Sequence, residues 1–215
     1  MDNRRIFSLH FLLLSIFLFF VPQVRADVPD AVQAAVSART DEGHQLQPPI
    51  IDAGAAMQGV YIYFVINTSD VPGYTEGDRP YMLDAHILFA DGDHRWHDEL
   101  LDRYVKVDGI PEIASVFFAN ADHDPKDKEI VILVLTPLNH YDYGGEYYDG
   151  YVYKLTGSAQ KGAVFGALQS DASAPFVHQC ECSFRDGRST HAQYQDAESI
   201  RKALAKRYSV APKSK

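Results

Sequence analysis

The sequence predicts an α+β fold, in which one mostly antiparallel sheet of about six strands carries a C-terminal helix packed on it. Runs of β-branched and aromatic residues recur along the chain, and turns rich in Gly, Pro and Asp separate them. The most apolar run, at 128–135, has six consecutive apolar side chains, as expected of a central strand buried on both faces. The clearest helical pattern comes last, at 196–208.

Residues 1–26 have the pattern of a secretory signal peptide. Arg4 and Arg5 precede an apolar stretch at 6–21, and Ala26 stands where a signal peptidase cleaves. The alternative is an uncleaved membrane anchor, but the stretch is short of the roughly 20 apolar residues that span a bilayer. We therefore predict an exported protein, periplasmic or secreted, with no transmembrane segment after cleavage.

The remaining chain divides into an N-terminal extension or linker at 27–58, with a short helix, and a single domain at 59–215. The formal charge is −9, and it becomes −11 when the basic signal peptide is removed. Nucleic acids and anionic membranes select for clustered Lys and Arg, so this balance argues against both as partners.

The elements follow in order along the domain. Strands are predicted at 60–68, 83–90, 112–122, 128–135 and 176–184, while 97–107 is either a strand or a short helix.

A hairpin at 139–155 is predicted to turn at Gly144-Gly145, because glycines adopt the positive φ of a tight turn. The Gly-, Ala- and Ser-rich stretch at 157–174 is predicted to be a loop. In the final helix, Asp196 fits the N-cap, and Ile200 and Leu204 form the buried stripe.

An acidic stretch, ANADHDPKDKEIVILVL at 119–135, leads into the most apolar strand. It resembles the calcium-binding loops of FG-GAP-type repeats, in which alternate oxygen-bearing side chains precede an aliphatic strand. The resemblance covers this stretch only, and we recognise no whole-chain family. It implies calcium as the cofactor, with the ligands Asn120, Asp122, Asp124 and Glu129, and Asp127 in the same stretch is a further candidate ligand. Pro125 departs from the glycine of that pattern, so a solvated polar turn without any cofactor is the alternative.

Two further groups of residues have metal- or thiol-binding chemistry. His94 and His97 lie in an acidic turn, but two imidazoles fall short of the three or four ligands of a zinc site. Cys180 and Cys182 are the two cysteines, and they form a disulfide, remain free thiols, or bind a metal together with His178.

Tyrosines are dense around the predicted hairpin, and Tyr141, Tyr143, Tyr147 and Tyr148 are the candidate partner-binding residues. Tyrosine is enriched at protein interfaces because it contributes a large contact area at low entropy cost. On a strand, Tyr147 and Tyr148 point to opposite faces.

Catalytic motifs such as G-x-S-x-G and H-E-x-x-H are absent from the sequence. We therefore predict a non-enzymatic exported protein, stabilised by calcium if the acidic loop binds it, that binds a macromolecular partner in the cell envelope, and we expect that partner to be a protein. The alternative is a hydrolase that depends on a metal or on a thiol.

Overall fold

The computed structural model describes residues 28–41, 43–67, 80–106, 109–124 and 126–208. Strands contain 53% of the described residues and helices 18%, and the strands form two separate sheets. The predicted α+β fold with one sheet of about six strands is therefore wrong, because the protein is mostly β. The predicted signal peptide at 1–26 lies outside the described residues.

Each sheet is antiparallel throughout. The smaller sheet consists, in spatial order, of β1 (His44–Asp52), β2 (Val60–Asn67), β3 (Tyr81–Ala90) and β4 (Trp96–Lys106). The larger sheet contains β5 (Glu112–Ala119), β6 (Glu129–Asn139), β7 (Tyr143–Ser158), β8 (Ala163–Leu168), β9 (Gln179–Phe184) and β10 (Ser189–Thr190). Its order is β10-β9-β7-β6-β5, and β8 pairs with the second half of β7.

The two sheets pack face to face, and their facing side chains form the main core. Phe64 of β2 and Ile87 of β3 share one buried cluster with Ile130 and Ile132 of β6. All four side chains are fully buried. Because successive residues of a strand point to opposite faces, the neighbouring apolar residues of these strands face the outer layers.

Helices cover the outer faces, so the protein has four layers. Helix α1 (Asp30–Ser37) packs Val36 against Tyr63 on the smaller sheet. A short helix α2 (Ser170–Ser173) and the longer α3 (Ala197–Tyr208) lie on the larger sheet, where Ile200 joins a cluster with Val131 of β6. The apolar run of β6 is thus buried on both faces, as predicted, but its second cover is another sheet.

Several predicted elements are confirmed. Strands β2, β3, β5, β6 and β9 lie within or close to the predicted segments, and the ambiguous segment at 97–107 is strand β4. The N–H of Ser199 donates to Asp196 Oδ1 at 2.7 Å, as expected of an N-cap before α3.

The hairpin between β6 and β7 turns three residues earlier than predicted. The N–H of His140 donates to the carbonyl of Tyr143, and Gly144 and Gly145 already lie inside β7. Gly145 has a φ of +142°, and a Cβ added there would lie 2.1 Å from the carbonyl oxygen of Glu181 on β9. Gly145 is required because two strands approach each other closely there. A glycine at a close approach cannot be told from a glycine in a turn by the local sequence.

Three strands occur where the sequence predicts none: the two-residue β10 and the longer β1 and β8. Strand β1 lies in the predicted linker and pairs with β2, although Pro48 and Pro49 interrupt its register. Strand β8 lies in the predicted loop at 157–174, where its small residues allow it to pack closely: a Cβ on Gly166 would lie 2.1 Å from Leu101. Composition alone did not reveal β1 or β8, because edge strands and small residues lack the β-branched signal.

Candidate functional site

The inner face of the larger sheet continues past the core and forms one wall of a cavity, which we call the end cavity. Thr136, Tyr147 and Cys180 lie side by side across β6, β7 and β9, because Thr136 pairs with Tyr147 and Tyr147 pairs with Cys180. Tyr143 and Phe184 form a second such pair. The cavity measures about 380 Å³, and it is lined by Lys106, Thr136, Leu138, Tyr143, Tyr147, Cys180 and Phe184.

Lys106 brings the one positive charge among the lining residues of the end cavity, and a buried carboxylate neutralises it. Its ammonium donates to Asp149, which is 1% exposed and also accepts the backbone N–H of His178 at 2.8 Å. The ammonium lies 5.8 Å from the centroid of the Tyr147 ring, within the range of a cation–π contact. The cavity therefore presents an oriented N–H donor without a large net charge.

Thr136 is the polar residue of the cavity whose hydrogen-bonding capacity is unused. Its side chain is 2% exposed, and its hydroxyl oxygen has no hydrogen-bond partner among the described residues. Leaving a buried hydroxyl unsatisfied costs about 1–3 kcal/mol. A ligand with a polar group at this depth would recover that free energy.

The four tyrosines predicted to bind a partner do not share one surface. Tyr143 and Tyr147 line the end cavity, and burial raises the pKa of Tyr147, so its phenol stays protonated at neutral pH. Tyr148 points to the other face, where it is 7% exposed and its hydroxyl donates to Glu146. Tyr141 is 77% exposed, with the Arg185 guanidinium 4.4 Å from its ring centroid.

Cys180 and Cys182 form a disulfide with a Cα–Cα distance of 5.3 Å. They are neighbours on one face of β9, and Cys182 pairs with Gly145 of β7. A sulfur in a disulfide is not available as a thiolate nucleophile or metal ligand. In this state Cys180 serves as part of the cavity wall.

The acidic stretch holds a lysine from β7 between its carboxylates. Lys154 Nζ lies 2.5 Å from Asp122 Oδ2 and 3.9 Å from Glu129 Oε1. The ammonium of Lys154 lowers the pKa of Asp122, and Asp122 in turn raises the pKa of Lys154. Glu129 is fully buried, and burial raises the pKa of its carboxyl group.

The rest of the acidic stretch has the hydrogen bonds of a polar turn. The side-chain amide of Asn120 donates to the carbonyl of Asp124 at 2.7 Å, the N–H of Asp124 donates to Asp122 Oδ1 at 2.6 Å, and the N–H of Ala121 donates to Glu129 Oε2 at 2.6 Å. Asp127 is exposed, and Pro125 lies outside the described residues. No group of three or more His, Cys, Asp or Glu side chains is placed to hold a metal within the described part of the chain. Calcium binding by this loop stays a prediction.

The turn at 91–95 is organised by a carboxylate. Asp91 is 6% exposed and accepts the N–H groups of Asp93 and Arg95 and the His97 ring nitrogen, each at 2.9 Å. His97 also stacks on Phe89, with ring centroids 5.2 Å apart. His94 is exposed, so the structure uses the two histidines in different ways.

Sequence reasoning found Tyr143, Tyr147 and Cys180 but missed Lys106, Thr136 and Phe184. Thr136 could have been found from the sequence, because it follows Ile130, Ile132 and Val134 at alternate positions of β6 and so places a hydroxyl on an otherwise apolar face. Lys106 comes from the other sheet, and no local pattern connects it to the site.

None of the helices in the described residues is long and apolar enough to cross a bilayer. Comparison with known proteins finds no matching family model, no similar characterised protein and no similar solved structure. The function must therefore be inferred from the site itself.

Proposed function

We propose that this protein is an exported, non-enzymatic binding protein that takes an aromatic side chain of a protein partner into the end cavity. The observation that carries the proposal is a cavity walled by Tyr143, Tyr147 and Phe184, next to which the lining residue Thr136 has a buried hydroxyl without a partner among the described residues. A volume of about 380 Å³ lies at the lower end of the ~300–1,000 Å³ typical of ligand pockets. It suits one ring-sized group better than an extended ligand.

The chemistry of the walls favours an aromatic group with a polar end. Aromatic rings pack well against one another in offset or edge-on arrangements, and buried hot spots of protein interfaces are enriched in such anchors. At the polar end of the cavity, Thr136 and Lys106 offer hydrogen-bond donors to a phenol or carbonyl oxygen. A tyrosine side chain of the partner satisfies both requirements.

Two observations support the cellular setting and the absence of catalysis in the proposal. The Cys180–Cys182 disulfide fits an oxidising compartment, as the predicted signal peptide does. Among the lining residues, Cys180 is held in the disulfide and Lys106 is paired with Asp149, so neither the thiol nor the amine is free to act as a nucleophile. Neither observation depends on the identity of the partner.

The first test uses side-chain analogues as probes and Thr136→Val as the variant. We expect p-cresol to bind more tightly than toluene and to shift the NMR signals of residues 136, 143, 147 and 184. Thr136→Val should weaken p-cresol about fivefold, the equivalent of one hydrogen bond of about 1 kcal/mol, without affecting toluene. Thr190→Val, the same change at an exposed position of β10, is the matched control. Equal binding of both probes to wild type would contradict the role of Thr136.

The second test asks whether the ligand belongs to a protein. A photoreactive benzophenone side chain replaces Tyr143 at the cavity or Phe165, which is 60% exposed on β8, as the control. A cross-linked protein partner at position 143 and none at 165 is the expected result. Capture of a small molecule, or equal adducts at both positions, would overturn the proposal of a protein partner.

A further inference from the structure

A second cavity lies on the opposite side of the larger sheet, beside α3, and we call it the α3 groove. Its volume is about 590 Å³. One wall is the α3 face with Lys202, Ala203 and Lys206, and the other is formed by Phe176 and Tyr194. Phe176 belongs to the outer cluster of the larger sheet, whereas the end cavity opens on the inner face. The two sites therefore share no residues.

The apolar wall is shaped by an aromatic pair. Phe176 is 2% exposed, and the Tyr194 ring packs on it edge to face, with centroids 4.9 Å apart and an interplanar angle of 89°. Tyr194 itself is half-buried, so one part of its ring faces the groove. The wall offers an apolar contact for a single side chain.

The opposite wall is basic in a chain whose formal charge is −9. Lys202 and Lys206 are exposed one helical turn apart, and neither makes an ion pair with any described residue. Arg207 marks the end of the groove, where its guanidinium donates to the carbonyl of Asp171 at 2.9 Å. The lining residues include no carboxylate. Lys206 lies in the last turn of α3, where a positive charge interacts favourably with the helix dipole, but two like charges at i and i+4 repel each other by a few tenths of a kcal/mol.

We propose that the α3 groove binds an extended acidic peptide of a partner, with the pattern acidic–apolar–acidic. Four residues of helix separate Lys202 from Lys206 by about 6 Å along the axis. In an extended peptide, side chains at i and i+2 share one side and lie ~6.6–6.8 Å apart. Two carboxylates at that spacing face the two lysines, and the residue between them points to the wall formed by Phe176 and Tyr194.

Charge also excludes a neighbouring segment of the same chain as the occupant. The residues that follow α3, SVAPKSK at 209–215, contain two lysines and no acidic side chain. They do not match the acidic pattern that the groove requires. We therefore take a peptide from another molecule as the occupant.

The test is a titration of the purified full chain with the peptide Gly-Asp-Phe-Asp-Gly, capped at both ends, and with its Gly-Asn-Phe-Asn-Gly counterpart. We expect saturable binding of the acidic peptide alone, weakened about tenfold in Lys202→Gln/Lys206→Gln, because each exposed ion pair contributes a factor of about 2–5. Raising the salt concentration should weaken binding as well, since exposed charges are screened over ~8 Å at physiological ionic strength.

Matched controls separate the groove from general charge effects. Lys126→Gln/Lys128→Gln removes two equally exposed lysines elsewhere and should leave the affinity unchanged. Tyr194→Ser should weaken the Phe-containing peptide and have no effect on Gly-Asp-Gly-Asp-Gly. Equal binding of the acidic and amide peptides, equal loss in both lysine double variants, or binding of phosphatidylglycerol vesicles in place of the peptide would each overturn the proposal.

Discussion

Replacing Lys154 by methionine tests whether this lysine is the cation of the acidic stretch. Methionine keeps the length and apolar character of the side chain but removes the ammonium that lies 2.5 Å from Asp122 and 3.9 Å from Glu129. Asp122 then loses its ion pair. The buried Glu129 carboxylate faces a second negative charge with no cation to offset it.

The expected destabilisation follows from the exposure of the partners. The side chains of Lys154 and Asp122 are 33% and 32% exposed, so their pair lies between surface pairs, worth ~0–1 kcal/mol, and broken buried pairs, which cost ~3–5 kcal/mol. Because the nearby Glu129 is only 1% exposed, the cost of removing the ammonium should exceed that of breaking a surface pair. We expect a loss of about 2 kcal/mol at pH 7. This corresponds to a fall in Tm of about 4–8 °C for a domain of this size.

The loss should depend on pH in a defined direction. The lowered pKa of Asp122 gives wild type a stability that is present above pH ~4, the ordinary Asp pKa, and lost as the pH falls. The raised pKa of Glu129 has the opposite sign, because it favours the fold at low pH and costs stability as the pH rises through it. Without Lys154 the first contribution disappears and the second grows. The difference between variant and wild type should therefore widen from pH 4 to pH 8.

Thermal melts followed by circular dichroism across this pH range measure the effect. Lys128→Met, which removes an exposed lysine next to Glu129, is the control and should melt like wild type. In Lys154→Met/Glu129→Gln the amide carries no charge, so much of the loss at pH 8 should be recovered. A Tm gap that is absent at pH 7, or equal at pH 4 and pH 8, would refute the reasoning.

Calcium adds an independent arm to the same experiment. If the ammonium takes the place of a cation, millimolar calcium should raise the Tm of Lys154→Met relative to EDTA, since a ligand of the folded state stabilises it by RT ln(1 + [L]/Kd). Wild type should shift by less. A larger shift in wild type, abolished by Asp122→Ala/Asp124→Ala, would support the calcium site implied by the resemblance to FG-GAP-type loops.

Two further substitutions test the packing around the end cavity. In Lys106→Met, the buried Asp149 (1% exposed) keeps only the His178 N–H among its described hydrogen bonds. Urea denaturation should therefore show that the free energy of unfolding falls by about 3 kcal/mol. Much of this loss should be recovered in Lys106→Met/Asp149→Asn. A loss as large in the double variant would show that the carboxylate charge is not the cause. Gly145→Ala should lower the Tm more than Gly59→Ala, because both glycines have positive φ but only the first meets a backbone oxygen at 2.1 Å. Equal decreases in Tm would show that the positive φ alone, and not the contact with the backbone oxygen, causes the destabilisation.

The sequence determined most of the individual elements. β-Branched and aromatic runs predicted strands such as β2 and β6, and the pattern from Asp196 to Leu204 predicted α3 together with its cap and buried face. These properties depend on residues that are neighbours along the chain, which is why local periodicity reveals them. Strand parity also separated Tyr147 from Tyr148 before their faces were known.

Tertiary structure alone decided which surfaces these elements cover. An apolar face looks the same in sequence whether a helix or a second sheet packs on it, so the division into two sheets was not predictable from β6. Likewise, Gly145 carries the same local signal in a turn as at a close contact between strands. Lys106 reaches Asp149 across 43 positions, and Lys154 reaches Asp122 across 32. Such contacts depend on how sheets stack and strands pair, and those choices are made by long-range burial, on which the local sequence carries no information.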